Sequence, residues 1–262
     1  MSTGTWSAML AIGASVGGAV AAIFGRDTAF VLNSVSFFLS AFFLWRMRVP
    51  ARDAARIGVG GWSGLVDGFR YMRAHPAVAH IATVKGGWAL VGGAILLLTV
   101  FGERVFRIGG SGDAGIGILY AARGVGAAVG SLTVAFVARR ASGELTRWIA
   151  PAYVAAGTAY ATLGFAPNIW VAAATVIVAH VFGSFLWVSS NVLLQLAVPD
   201  AFRGRVFAAE LMLLTLVQSV VTYATAVALD AGGASPRALA VVIGLALWLP
   251  ALTWRTFRVE NT

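Results

Sequence analysis

Long, continuous apolar runs alternate along the chain with short polar turns that carry arginine. A membrane helix needs about 20 mostly apolar residues to cross roughly 30 Å of hydrocarbon at 1.5 Å per residue. Eight segments reach that length: 6–24, 28–45, 77–101, 114–138, 148–166, 169–198, 206–229 and 238–254. Strands of a membrane barrel would alternate apolar and polar at every second residue, which these runs do not. The pattern predicts an all-α integral membrane protein with about eight transmembrane helices.

Composition agrees. Of 262 residues, 59% are hydrophobic and 11% charged, too few charges to coat a soluble domain, and 31 glycines suit helices that approach closely. The net charge of +9 raises the question of nucleic acid, but its distribution answers it. Arg46, Arg48, Arg52, Arg56, Arg70, Arg73, Arg139, Arg140, Arg147, Arg203, Arg205, Arg255 and Arg258 fall on one side of the expected bundle; only Arg26, Arg104, Arg107 and Arg237 fall on the other. Basic loops stay in the cytoplasm, so both termini are expected there, in a multi-pass protein of the inner (plasma) membrane. No nucleic acid partner is needed. With no cysteine there is neither a disulfide nor a thiolate metal site. No basic segment precedes the first apolar run, so that run is expected to be a retained helix and not a signal peptide. Trp6, Trp45, Trp148, Trp170 and Trp254, near span ends, suit the interfacial belt.

The loop 46–76 is longer than the others. Within it Trp62, Leu65, Val66, Phe69 and Met72 recur at helical spacing, with Asp67, Arg70 and Arg73 on other faces, so a helix lying along the cytoplasmic surface is expected at 62–73.

Enzyme motifs match only superficially. Gly13-Ala-Ser-Val-Gly17 fits a nucleophile elbow but lies inside an apolar helix without a preceding strand. Gly110-Ser-Gly-Asp-Ala-Gly115 fits a dinucleotide fingerprint but follows a membrane span where no βαβ unit is available. His75, His80 and His180 lack metal-ligand spacing. No catalytic residue, metal or cofactor is expected. Gly13 and Gly17, with Gly18 beside them, and Gly126 with Gly130 have the small-xxx-small spacing of packed membrane helices.

Polar residues at membrane depth say more. His180, Ser184, Trp187, Asn191 and Gln195 share one helical stripe, which should not face lipid. Thr215, Ser219 and Thr222 make a milder one, and Lys85 with Trp88, and Tyr120 with Arg123, extend the pattern to two further spans. These residues either face a cavity and its substrate or bond helix to helix. A charge near mid-membrane costs several kcal/mol unless it pairs or sees water. Lys85 either snorkels to the cytoplasm or sits buried with a partner. Arg123, mid-span, has no such escape, and Asp113, Asp230, Glu103 and Glu210 all appear near span ends, away from it. An anionic ligand, water in a cavity, a carbonyl or an acidic group from sequence not present here remain as its partners.

The run 6–45, with Ile12-Gly-Ala-Ser-Val-Gly-Gly18 and Phe30-Val-Leu-Asn-Ser-Val-Ser-Phe37, resembles helices five and six of the major facilitator superfamily, in the branch of enterobactin-exporter-like and macrolide-efflux-like permeases. The stretch 64–76 is similar to that branch's connector before helix seven. The turn 198–206, with Pro199, Asp200, Arg203, Gly204 and Arg205, resembles its loop between helices ten and eleven. Gly13-Ala14 stands where that superfamily's antiporter motif usually has Gly-Pro. The resemblance covers helices five to twelve only. It implies a partial facilitator fold: two helices of the N-terminal half (1–45), a cytoplasmic connector (46–76) and a complete six-helix C-terminal half (77–262). It further implies a secondary active transporter, an efflux permease for small amphiphilic or drug-like compounds, truncated at its N-terminus and inefficient alone. No Walker A pattern is present, so an ion gradient would drive it. The implied partners are the lipid bilayer, a small-molecule substrate and a coupling proton, for which His180 and Lys85 are candidates. The alternative is a non-transporting membrane subunit assembled with a chain that supplies the missing helices.

Overall fold

The computed structural model describes residue 20 and residues 24–47, 61–108, 112–138 and 142–256; these are helices joined by short turns, without a strand among the described residues. Helix α1 (Arg26–Arg46) is followed by the short α2 (Trp62–Ala74). Then come α3 (Pro76–Trp88), α4 (Val91–Val100) and a π turn (Phe101–Val105), which together make one span of 30 residues. The remainder is α5 (Asp113–Ala138), α6 (Ser142–Leu163), α7 (Ile169–Ala197), α8 (Asp200–Asp230), α9 (Pro236–Ala246) and α10 (Trp248–Thr256). Among the described residues, six helical stretches are long and apolar enough to cross a bilayer, and α6, 22 residues long, packs along them. The glycine motif Gly13, Gly17 and Gly18 lies outside the described residues.

Helix α7 is the central post, with α5 along one side and α6 along the other. Closeness there rests on absent side chains. A Cβ at Gly126 would come within 2.9 Å of the His180 Cβ, and one at Gly130 would overlap the Val181 carbonyl and press on Ser184 at 2.8 Å. The α6–α9 crossing repeats the device, with a Cβ at Gly244 only 2.6 Å from the Gly157 carbonyl. With lipid tails as apolar as leucine, such close backbone approach supplies the dispersion that holds membrane helices together.

Three expected boundaries need correction. The segment 77–101 is not one smooth helix: it breaks at Ala89–Leu90, where amides bond three residues back, Leu90 to Gly87 and Gly92 to Ala89. The paired glycines 86–87 and 92–93 flank this break and weaken the helix on both sides. The segment 238–254 breaks at Leu247, because Pro250 lacks an amide hydrogen and its ring crowds the carbonyl four residues back. The segment expected at 206–229 begins six residues earlier, at Asp200, after Pro199 in an extended conformation. Asp200, Arg203, Gly204 and Arg205 therefore lie in the first turns of α8 and not in a loop.

Trp254 also differs from expectation. It is buried, stacked on His80 at 4.3 Å, and its indole N–H donates to the Thr146 carbonyl at 3.0 Å, so it ties α10 to α3 and α6 instead of sitting at the interface. Trp45, Trp148 and Trp170 are exposed. The surface helix α2 rests on the start of α8. Met72 is buried, Tyr71 stacks on Phe202 at 4.8 Å, and Asp67 reaches Arg205 at 3.7 Å.

Replacing Gly130 with Val should push α5 off α7 and cost about 1–3 kcal/mol, the usual penalty of overpacking. Gly204→Ala, inside α8 where a Cβ meets nothing within 4 Å, should leave the packing intact and stabilise the helix by up to about 1 kcal/mol. Thermal unfolding of both variants in detergent is the measurement; equal melting temperatures would contradict the packing described.

Candidate functional site

Two clusters of polar and charged side chains occupy the interior at membrane depth, joined by one turn of α3. The first centres on Lys85, ten residues along the 76–105 span and only 5% exposed. Its ammonium donates to Glu210 Oε2 on α8 and to Asn191 Oδ1 on α7, both at 2.7 Å. The other carboxylate oxygen, Oε1, accepts from the Ser190 hydroxyl at 2.9 Å. The rings of Trp187 and Phe207 lie 5.0 and 5.3 Å from the ammonium, so the faces of two aromatics complete its shell. Lys85 does not snorkel: its charge is neutralised inside the bundle by Glu210 of α8, and its shell is completed by groups from α7 and α8.

Glu210 was missed in the sequence because the span was drawn from residue 206, which put the carboxylate near its end. With α8 starting at Asp200, Glu210 is the eleventh residue of the helix and 1% exposed. The available signal was Lys85 itself, since a lysine inside an apolar span requires a counter-charge at similar depth.

The second cluster lies one turn further along α3. Trp88 presents its edge to His180 at 5.8 Å between ring centroids, and its indole fills the space that a side chain at Gly183 would take. His180, buried, is 2.7 Å through Nε2 from the hydroxyl of fully buried Tyr160 on α6. On α5 the guanidinium of Arg123 sits 5.9 Å from the centre of the Tyr120 ring. The Tyr120 hydroxyl is held by α4, donating to the Ile95 carbonyl at 3.3 Å and lying 3.3 Å from Thr99 Oγ1. Tyr160 and Ser190 are further residues the sequence did not single out, and nothing short of the fold distinguishes Tyr160 from the other aromatics. Tyr153 also bridges elements, its hydroxyl donating to the Val84 carbonyl.

The remaining expected residues are placed differently. Ser184 is half-buried against Gly130. Gln195 is exposed near the end of α7, where its carbonyl accepts from Arg203 at 2.9 Å. Thr215 and Ser219 are exposed on α8, and the Thr215 hydroxyl donates to its own helix at Leu211. Thr222 is half-buried where α8 meets Gly92. Arg203 closes the turn before α8, bonding Asp200 at 2.7 Å and the carbonyls of Gln195 and Val198. Pro199 and Gly204 are exposed there, and Arg205 contacts Asp67 of α2. The two stretches 64–76 and 198–206, singled out separately in the sequence, thus form one structural corner.

Helices with apolar outer faces around an inner file of paired charges, hydroxyls and aromatics define a multi-pass membrane protein. The family profile described as transmembrane secretion effector, of the major facilitator superfamily, matches residues 5–252, and the chain belongs to that family. The family is one of transporters and not of enzymes. No curated protein and no solved structure matches the chain.

Breaking the Lys85–Glu210 pair from one side strands a buried charge. Lys85→Met and Glu210→Leu should each cost about 3–5 kcal/mol, while the double substitution should recover most of the loss. Unfolding of the three variants in micelles reads the coupling; additive losses would mean that the two residues do not neutralise one another.

Proposed function

We propose that the chain works as a secondary active permease that exports small amphiphilic or drug-like compounds across the plasma membrane, with both termini in the cytoplasm. One observation carries this reading: the polar and aromatic groups of α3, α5, α7 and α8 meet on inward faces at membrane depth, while Val125, Val129, Leu132, Val171 and Val178 turn apolar side chains outward. A helix bundle that needed only adhesion could use small residues alone. Charged and amphipathic groups at that depth are costly, and a polar route for substrate explains their presence.

In this reading residues 77–262 form one bundle, residues 1–45 belong to the bundle opposite, and 46–76 connect them. Trp88, Tyr120, Arg123, His180, Ser184 and Trp187 line the route, with Thr215, Ser219 and Thr222 on the α8 face. Glu210 joins His180 and Lys85 as a candidate for the coupling proton. A proton on Glu210 would remove the ionic attraction between α3 and α8 and leave the Lys85 ammonium in need of another partner, so that protonation and movement of α3 relative to α8 would be coupled. The second reading, a membrane subunit that serves assembly, draws on α1, which is exposed along its length with Phe30, Phe37, Phe38 and Trp45 outward.

Proteoliposomes holding the full chain separate the two. A permease should move a dansylated amphiphile faster than empty vesicles leak it, and faster still under an imposed pH gradient. Glu210→Gln should abolish the response to the gradient. Movement no faster than the leak would favour the subunit, and a gradient response intact in Glu210→Gln would remove that residue from coupling.

A further inference from the structure

The two cations at membrane depth are treated in opposite ways. Lys85 is locked into a carboxylate, an amide and two rings. Arg123 lies ten residues into the 113–134 span and makes no ion pair among the described residues; its guanidinium lies 5.9 Å from the centre of the Tyr120 ring. A guanidinium cannot shed its proton to escape the cost.

Nor does it lean outward to headgroups. On α5 the outward residues are Val125, Val129 and Leu132, each at 44% exposure or more. Arg123 falls about half a helical turn away from them, on the face shared with buried Leu119, Gly126, Ala127 and Gly130. That face packs on α7, yet Arg123 itself is partly accessible. Its accessibility therefore opens toward the interior. Around it stand groups with apolar bodies and polar tips: Tyr120, braced by two hydrogen bonds to α4, and beyond it Trp88 and the His180–Tyr160 pair. Tyr120, His180 and Tyr160 already have hydrogen-bond partners, whereas the guanidinium has its ring contact with Tyr120 and no hydrogen bond or ion pair among the described residues.

We infer that Arg123 is the anion-reading point of the route, and that the compound carried is an amphiphile with a carboxylate, sulfonate or phosphate group. The anionic group would take the guanidinium donors, in the paired geometry that carboxylates and phosphates favour, while its apolar body lies against Tyr120 and Trp88. The inference rests on the permease reading, and it adds the sign of the substrate's charge. Neutralising Arg123 only when loaded also gives the substrate a way to lower the cost of the buried cation, so binding and charge compensation become one event.

The test uses the full chain in nanodiscs, with dansyl-undecanoic acid and its methyl ester as probes and empty nanodiscs to subtract partition. The acid should bind at least about tenfold more tightly than the ester, a difference of about 1.4 kcal/mol. Arg123→Gln should bring the two affinities together, and Arg123→Lys should retain part of the preference. The melting temperature of Arg123→Gln should stay level or rise, because no ion pair is lost. Equal binding of acid and ester by the wild-type chain, or a preference that survives in Arg123→Gln, overturns the anion site and leaves the permease reading standing. Binding of neither probe above empty nanodiscs overturns both.

Discussion

A charge inside hydrocarbon must be neutralised by something at its own depth, and the Lys85–Glu210 pair shows how far that requirement shapes the bundle. The ammonium is on α3, the carboxylate on α8, and the amide and hydroxyl that complete the network are on α7. None of the three helices can slide along another by a turn without exposing a charge to lipid or to an unmatched neighbour. Pairing of this kind adds little net stability over an apolar equivalent, since desolvation offsets much of the attraction. What it does add is register. Apolar faces of leucine and valine slide over each other with little penalty, whereas a 2.7 Å contact between buried ions is met at one alignment.

Small residues set the complementary constraint. Where α5 meets α7 at Gly126 and Gly130, and α6 meets α9 at Gly157 and Gly244, backbones touch and the crossing points are fixed by shape. The 76–105 span is different. It carries Lys85 and Trp88 into the two interior clusters, then breaks immediately at Ala89–Leu90 before continuing against α8 through Gly92 and Gly93. A discontinuous helix beside buried polar groups is where a membrane bundle can bend without unmaking its ladder of hydrogen bonds elsewhere. Both interior clusters hang on the segment just before that break.

The fold class was legible because bilayer thickness sets a minimum apolar length for every span, and the runs at 169–198 and 114–138 match α7 and α5 to within a residue at each end. Helical geometry is regular, so His180, Trp187 and Asn191 share one stripe of α7, and in the fold they contact Trp88 and Lys85 of α3. What the sequence hid depended on details finer than hydropathy. Asp200, Arg203 and Arg205 read as a polar loop, yet they make the first turns of α8, and that offset concealed the depth of Glu210. The same stripe extrapolated one turn too far at Gln195, which has already left the interior. Pairings between helices more than a hundred residues apart, such as Trp254 with Thr146 or Lys85 with Asn191, have no local signal at all.

Lys85 and Arg123 together suggest how one bundle can hold its shape and still respond to a solute. If both cations were paired internally, the interior would be electrically complete and a bound anion would find repulsion from the carboxylates and no free donor. If both were open, two uncompensated charges would each cost several kcal/mol. One closed pair anchors α3, α7 and α8, and the guanidinium on α5 keeps a positive charge without a counter-ion among the described residues. The two are linked mechanically, since the turn of α3 bearing Lys85 also carries Trp88 against His180, and His180 lies on the part of α7 that receives Gly126 of α5. Occupying the open charge therefore acts on the same turn whose other side is fixed by the closed one.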